Sequence, residues 1–453
     1  MFLMGIELSV IVPTHDRPRH LARTLHALMA QVMRDFEVVV VADDCGEETF
    51  AVLERARKAA PVPLGVVECV ERSAARARNL GLAATSGRNC VFLDTDVLVP
   101  KDFTRTLRSA FTGSPSAVLL TPMYGNAASS LTWPLLVNND RAAEMLECSD
   151  LLEWASHQMK LRDVRVPFAH PETGSLDHLP APWVFCWSSA MAVARALIEE
   201  IGGFAEAFEV KGSEDIELGM RLSKAGATFT LLPNSYVFHL PHDRDRTREE
   251  SSDFIHALRL LSMHTTPAME ALCAFDCANA NPMIELLGTL TPILGDLARH
   301  AASRSAHRDV LCLPNPDLVI GPPPSWLGSS PKTPRVVCPV PANCADQVPL
   351  FGFALPFEDK FFRVAVLTYL WQILPERLAC RLFDEALRVA EQVFVLKDAA
   401  LAISEVDIPA DRLAAYDTPY WERTRRLRRS FYDYRLAPLA QDHELYSYQL
   451  LPS

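Results

Sequence analysis

Short apolar runs alternate with amphipathic segments along residues 7–100. Strands that consist almost wholly of Val, Ile, Leu and Phe, and that are separated by helices, are typical of a parallel sheet buried on both faces. The pattern therefore predicts an α/β fold with a mostly parallel central sheet. The spacing predicts strands over residues 8–12, 36–41, 65–70 and 90–93, and helices over residues 18–31, 47–60 and 73–85.

The second half of the chain divides into a helical stretch and a further α/β-like stretch. Periodicity is weak over residues 114–182 and then returns as a helix at 215–225 and strands at 228–232 and 236–239. Nine prolines between residues 314 and 341 predict a linker or an irregular crossover. We predict a catalytic domain over residues 1–248, a helical connecting segment over 249–307, and a smaller module with an aromatic-rich tail over 308–453.

Charge and cysteine content narrow the class of protein. The net charge of −12 argues against nucleic acid as a partner, because such proteins usually carry a basic patch. The eleven cysteines are scattered without a CxxC pair, which favours reduced thiols. No apolar stretch reaches about 18 residues, the length needed to span a bilayer. We expect a cytoplasmic protein without stable membrane insertion.

Two aspartates one residue apart follow the predicted strand at residues 90–93. Ligands of open α/β sheets bind outside the carboxyl ends of strands, where Asp94 and Asp96 lie. Carboxylates there suit a hard divalent cation that also contacts the phosphates of a nucleotide. Asp43 and Asp44 follow the predicted strand at residues 36–41 in the same way, and acids there suit hydrogen bonds from a base or ribose. The alternative for both pairs is a turn or helix cap with solvated acids.

Charged residues elsewhere suggest a binding site and a base. Arg72, Arg76 and Arg78 are candidates for pairing with diphosphate oxygens or with the acids, with surface solvation as the alternative. Glu214 and Asp215 begin a helix, where acids interact favourably with the helix dipole. The functional interpretation is a general base that deprotonates an acceptor hydroxyl.

Histidines and tryptophans add less specific signals. His239 and His242 follow an apolar strand and suit a metal site, although a structural histidine explains them as well. Trp183 and Trp187 are candidates for stacking on a sugar ring, with buried aromatic packing as the alternative.

These residues occur in five blocks whose order resembles the family 2 glycosyltransferases of the GT-A fold. The resemblance covers residues 7–242, and its later blocks are similar to the bacterial chondroitin-polymerase and galactosyltransferase-like branches. Residues 205 and 206 are Ala-Glu, where the family commonly has Asp-Glu. The blocks are LSVIVPTHDR, VVVVADD, RSAARARNLGLAATSGRNCVFLDTD, GGFAEAFEVKGSEDIELGMRL and VFHLPH.

The resemblance implies a hexosyltransferase that uses a nucleotide sugar, with uridine diphosphate as the expected carrier and inversion as the expected outcome. It implies Asp215 as the base with Glu214 as the runner-up, and Mn²⁺ or Mg²⁺ on Asp94, Asp96 and His239. Rival interpretations are a nucleotidyltransferase and a non-catalytic sugar-nucleotide scaffold. The implied nucleotide-binding residues are Pro13, Thr14, Asp16, Asp43, Asp44, Arg72, Arg78, Asn79, Asp94 and Thr95.

Residues 355–398 resemble the later half of a class I methyltransferase domain. Such a domain needs a glycine-rich turn after its first strand. The candidate first strand at residues 309–313 instead runs into PNPD. We therefore predict a degenerate Rossmann-like module without S-adenosylmethionine, with a role in acceptor recognition or in homodimer formation.

Overall fold

The computed structural model forms two compact units, Met1–Ser252 and Asp253–Ser453. Both the predicted helical segment after residue 253 and the last α/β segment fall within the second unit. None of the described helices has the length and apolar character needed to cross a membrane. The described residues are 6–70, 73–114, 116–124, 163–208, 212–233, 235–240, 246–303, 315–325, 334–341, 346–398, 434–441 and 445–452.

The first unit is built on a seven-stranded sheet in the order β3-β2-β1-β4-β8-β6-β9. Its strands are parallel except β8, which runs antiparallel to β4 and β6. The elements are β1 (Leu8–Thr14), α1 (Pro18–Met29), β2 (Phe36–Asp43), α2 (Glu47–Ala59), β3 (Leu64–Cys69), α3 (Ala74–Ala83), β4 (Asn89–Leu93), β5 (Val97–Leu98), α4 (Phe103–Gly113), β6 (Ala117–Leu120), β7 (Met123–Tyr124), β8 (Ala190–Ala194), α5 (Arg195–Glu200), α6 (Glu214–Lys224), β9 (Thr228–Leu231) and β10 (Val237–His239).

Burial of the central strands explains this architecture. Strands β1, β2 and β4 consist of buried residues apart from one half-buried position in each of β1 and β2. Helix α1 has Pro18 in its first turn, where a missing N–H costs nothing, and buries Leu21, Leu25 and Leu28. Gly81 in α3 lies so close to β1 that a Cβ atom would fall 2.3 Å from Cγ2 of Ile11. These contacts fix the carboxyl ends of β1, β2 and β4 at one edge of the sheet.

A second, three-stranded sheet has the order β5-β10-β7. Strand β5 directly follows residues 94–96, the Asp-Thr-Asp segment that we call the DxD turn. Strand β10 is antiparallel to β5, and His239 pairs with Val97 in the register. This register brings the predicted histidine next to the residue that follows Asp96, although the two are far apart in sequence.

The second unit contains a seven-stranded sheet in the order β13-β12-β11-β14-β15-β17-β16. Strands β11 to β15 are parallel, and β17 is antiparallel to β15 and β16. The elements are α7 (Arg246–Met263), which begins before the boundary, α8 (Pro267–Ser303), β11 (Leu318–Ile320), β12 (Arg335–Val337), β13 (Gln347–Val348), β14 (Phe362–Leu367), α9 (Glu376–Val389), β15 (Ala390–Asp398), β16 (Tyr434–Gln441) and β17 (Leu445–Pro452).

The linker alternative for residues 314–341 was wrong, and the other alternative, an irregular crossover, stays a prediction. Strands β11 and β12, from this region, lie inside the sheet, and the prolines lie before and after them. Three-residue strands are too short to give a periodic signal, and flanking prolines leave their ladder hydrogen bonds intact. The predicted first strand at 309–313 lies outside the described residues. The described first strand, β11, ends directly before Gly321, which has a φ of +100°.

Glu270 in the first part of α8 is fully buried and binds consecutive backbone amides. Its carboxylate accepts hydrogen bonds from the N–H groups of Phe351, Gly352, Phe353 and Ala354. The φ of Gly352 is +107°, a left-handed conformation that turns successive N–H groups towards one anion. Burial raises the pKa of Glu270 to about 7, although the four amides favour the ionised form. The stability of this unit should therefore fall as pH rises from about 4.5 towards 7.

Replacing Glu270 with Ala should destabilise the second unit by about 1–3 kcal/mol, because buried N–H groups lose their acceptor. Hydrogen–deuterium exchange on the full chain should show loss of protection at residues 351–354, and thermal unfolding should begin earlier. Glu285→Ala, an exposed change on the same helix, is the control. Equal protection of these amides in both variants would contradict the anchoring role of Glu270.

Candidate active site

The carboxyl edge of β1, β2 and β4 gathers the predicted nucleotide-binding residues. The hydroxyl of Thr95 donates to the Oγ1 of Thr14 at 3.0 Å, which joins the ends of β4 and β1. Asp16, with a φ of 46°, accepts hydrogen bonds from the N–H of Gly46 and the hydroxyl of Thr49. The segments after β1 and β2 therefore hold each other in place. Pro13 lies within β1, one residue before Thr14.

Asp43 and Asp44 have different surroundings. Asp43 is 6% exposed at the end of β2, whereas Asp44 is exposed and has a φ of 50°. Aspartate tolerates this left-handed conformation better than most residues. The N–H of Asp44 donates to the carbonyl of Cys69 at 3.1 Å. Of the two carboxylates, that of Asp44 is therefore the more accessible from solution.

The DxD turn pairs with cations from two other segments. Asp94 Oδ1 accepts a hydrogen bond from Arg78 at 3.0 Å, and Asp96 Oδ2 accepts one from Arg17 at 2.5 Å. The Nε2 atom of His239 lies 3.5 Å from Oδ1 of Asp96. Sequence reasoning did not single out Arg17, because a contact across 79 positions leaves no local signal.

These side chains have the donor types of a divalent-cation site, since carboxylates and imidazole suit Mn²⁺. Asp96 and His239 are neighbours, while Arg78 binds the carboxylate of Asp94. Within the described part of the chain, no three or more His, Cys, Asp or Glu side chains are grouped so that they could hold a metal ion. The three-ligand set remains a prediction, and His242 lies outside the described residues.

Arg78 is the centre of a buried ion network. Its side chain is 2% exposed and donates to Glu214 at 2.7 Å as well as to Asp94. Burial alone would lower the pKa of Arg78, but the carboxylates of Asp94 and Glu214 outweigh it and raise that pKa. The guanidinium also lies 5.5 Å from the ring centre of Phe204. Arg78 thus connects α3, the DxD turn and the start of α6.

Asn79, the residue after Arg78 in α3, contacts the segment around Phe204. Asn79 donates to the carbonyl of Phe204 and to Glu206, and accepts from the N–H of Phe204. A Cβ atom on Gly203 would come within 2.7 Å of Asn79, so glycine permits this close contact. Asn79 therefore anchors the turn at residues 202–204 (Gly-Gly-Phe). Arg72, which precedes α3, lies outside the described residues.

Glu214 and Asp215 are adjacent but do different things. Glu214 is 2% exposed, and it accepts hydrogen bonds from Arg78 and from the N–H of Gly212. Asp215 is half-buried and accepts hydrogen bonds from the N–H groups of Ser188 at 3.0 Å and Ile216 at 2.8 Å. Burial, reinforced by the charge of Glu214, raises the pKa of Asp215 to about 6. Asp215 is thus the more accessible of the two carboxylates, and its raised pKa suits it to accept a proton.

Family comparisons agree with this arrangement. Residues 9–169 match the model of "Glycosyl transferase family 2", and residues 175–243 match that of "N-terminal domain of galactosyltransferase". Together the two matches span residues 9–243, so the N-terminal unit is similar to the family 2 glycosyltransferases over most of its length. The matches confirm the resemblance drawn from the five sequence blocks, and the GT-A-like α/β fold with it. The resemblance of the second unit to methyltransferases stays a prediction.

Individual relatives are glycosyltransferases. Validoxylamine A glucosyltransferase of Streptomyces hygroscopicus subsp. jinggangensis is 30% identical over 57% of this chain and 61% of its own length. Chondroitin synthase of Escherichia coli is 23% identical over 51% of this chain and 34% of its own. The crystal structure of Staphylococcus aureus TarS 1–349 in complex with UDP-GlcNAc has a TM-score of 0.42 and 18% identity, covering 60% of this chain and 71% of that one. This chain therefore spans less than two thirds of the validoxylamine relative and about a third of the chondroitin relative.

Proposed function

We propose that the N-terminal unit is a glycosyltransferase. It transfers a hexosyl group from a nucleoside-diphosphate donor to an acceptor hydroxyl, with inversion at the anomeric carbon. The observation that carries the proposal is Asp215, a half-buried carboxylate whose pKa is raised to about 6 and whose neighbour Glu214 is connected through Arg78 to the DxD turn. A general base works best when its pKa is close to the operating pH. Uridine diphosphate is the proposed carrier, and the validoxylamine relative supports a glucosyl-type donor.

The reaction is a single displacement. Asp215 takes the proton of the acceptor hydroxyl while the acceptor oxygen forms a bond to the anomeric carbon. The bond between that carbon and the diphosphate oxygen breaks on the opposite face, and its electron pair leaves with the nucleoside diphosphate. Arg17 is a partly exposed cation beside Asp96, in reach of the charge that develops there.

Asp94, Asp96 and His239 would hold a divalent cation together with the donor diphosphate, and Arg78 would keep Asp94 oriented. When bound, Mn²⁺ or Mg²⁺ offsets negative charge on the leaving group. Asp44, Thr14 and Asp16 lie along the same edge of the sheet, where the nucleoside would bind. For the second unit we propose an accessory role, in acceptor recognition or in homodimer formation.

A thermal-shift panel of nucleotide sugars, each with and without Mn²⁺, tests the proposal, followed by donor hydrolysis on any hit. Metal-dependent stabilisation by one donor, with release of its nucleoside diphosphate, is the expected result. Stabilisation without any turnover would favour the scaffold interpretation. Pyrophosphate release from a nucleoside triphosphate and a sugar phosphate would favour a nucleotidyltransferase.

Asp96→Ala should weaken Mn²⁺-dependent donor binding by about tenfold or more, because the loss of one anionic ligand leaves the metal–diphosphate complex poorly held. Isothermal titration with donor at fixed Mn²⁺ measures this change. The matched control is Asp102→Ala, since Asp102 is an exposed acid at the start of α4. Unchanged affinity in Asp96→Ala would refute the metal assignment.

A further inference from the structure

Trp187 directly precedes a residue that contacts the proposed base. Ser188, the following residue, donates its backbone N–H to Asp215 Oδ2 at 3.0 Å. The carbonyl of Ser189 accepts a hydrogen bond from the N–H of Asp94 at 3.0 Å. The short segment 187–189 therefore contacts both the base and the DxD turn. Trp187 is therefore one residue away in sequence from a direct contact with Asp215.

The two tryptophans of this region have different environments. Trp183 is 5% exposed and lies within the 3-10 helix Pro182–Phe185, as part of the core. Trp187 is only half-buried. Packing in the core thus accounts for Trp183, whereas Trp187 is partly accessible to solvent.

A buried cation supports one face of the Trp187 indole. The guanidinium of Arg165 lies 4.4 Å from the ring centre, and the Arg165 side chain is 1% exposed. Asp163 pairs with Arg165 at 2.6 Å, and the carbonyls of Thr121 and Phe185 accept two further hydrogen bonds. A cation held by so many partners cannot turn away easily, so the indole plane has a fixed orientation.

The segment that carries Trp187 is also packed tightly against α6. A Cβ atom on Gly219 would fall 2.4 Å from the Cβ of Cys186 and 3.0 Å from the carbonyl oxygen of Trp183. Only glycine permits this approach without a shift of the helix. Trp187 and Asp215 are thus held at a fixed separation by packing as well as by the Ser188 hydrogen bond.

We propose that the exposed side of the Trp187 indole is the platform on which the acceptor stacks, and that the acceptor is a polyhydroxylated ring, a sugar or a cyclitol. The inference rests on the proposed function. Such a ring presents a face of C–H groups to an aromatic surface and keeps its hydroxyls at the rim. One rim hydroxyl then reaches Asp215. A linear polyol or a peptide side chain offers no flat face of this kind.

Steady-state transfer with ring acceptors tests the platform. Glucose, N-acetylglucosamine and myo-inositol are compared with sorbitol and with a Ser/Thr peptide, at saturating donor. Trp187→Leu should raise KM for a ring acceptor by about tenfold with a smaller change in kcat, because stacking contributes mainly to binding. Trp187→Phe keeps an aromatic face and should restore KM to within about threefold of the wild type.

Acceptor-independent donor hydrolysis separates this inference from the proposed function. If the proposed function holds, the wild type should hydrolyse the donor slowly in the absence of an acceptor. Absence of hydrolysis in the wild type would refute the proposed function itself. With hydrolysis intact, three results would overturn the platform: wild-type use of only sorbitol or the peptide, transfer to no ring acceptor, or an unchanged ring-acceptor KM in Trp187→Leu.

Discussion

Asp215→Asn should lower kcat for sugar transfer by about 10²–10⁴-fold while donor affinity stays within about twofold of the wild type. Asparagine has nearly the same shape and still accepts the hydrogen bond from Ser188, but it cannot take a proton from the acceptor. Transfer assays and donor titrations measure the two quantities separately. The control is Glu199→Gln, which neutralises an exposed acid on α5. Near-normal turnover in Asp215→Asn would disprove the base assignment.

The pH profile gives a second test of the same carboxylate. Its pKa is raised to about 6, so Asp215 is protonated and inactive as a base below that pH. In the wild type, kcat/KM should rise with pH through about 6 and then level off. Asp215→Asn should lose this acid limb in whatever activity remains. An unchanged limb in that variant would assign the titration to another group.

Arg78→Met should destabilise the first unit by about 3–5 kcal/mol, which corresponds to a fall of roughly 10 °C in its Tm. Methionine fills much of the space, but the buried carboxylates of Asp94 and Glu214 lose the cation between them. Transfer activity should fall as well, because Asp94 loses the group that orients it. Thermal unfolding followed by hydrogen exchange assigns the transition to the first unit, which matters in a chain of two units.

Two further variants test whether unpaired buried carboxylates cause the loss of stability in Arg78→Met. Arg57→Met removes an exposed arginine from α2 and should change Tm by only a few degrees. Adding Glu214→Gln to Arg78→Met removes one of the two unpaired carboxylates and should recover part of the lost stability. If the double variant were less stable than Arg78→Met alone, loss of packing rather than unpaired charge would explain the effect.

Much of the first unit could be predicted from sequence because its central strands are buried on both faces. The predicted strand at 36–41 extends to Asp43, and the predicted helix at 47–60 ends at Ala59. Such apolar runs have few other ways to be buried. In the second unit, β11 and β12 have three residues each, and a pattern of that length does not distinguish a strand from a loop.

The candidate site could be predicted only in outline. Strand ends are local features, so the acids at positions 43, 94 and 96 stand out in the sequence. Contacts between distant segments do not stand out, since Arg17 lies 79 positions from Asp96 and Arg78 lies 136 positions from Glu214. Local spacing left Arg78 with either the diphosphate or the acids as its partner, and its described contacts are with carboxylates. Which face of an arginine helix meets which acid is decided by tertiary packing.

The ion network around Arg78 also constrains how this sequence can evolve. Two buried acids share one cation. If the arginine is replaced before the acids, the protein passes through a form with uncompensated buried charge. Positions 78, 94 and 214 should therefore be inherited as a set among descendants of this domain, although they are distant in the gene. The exposed pair Arg105 and Asp102 carries no such penalty and should vary independently.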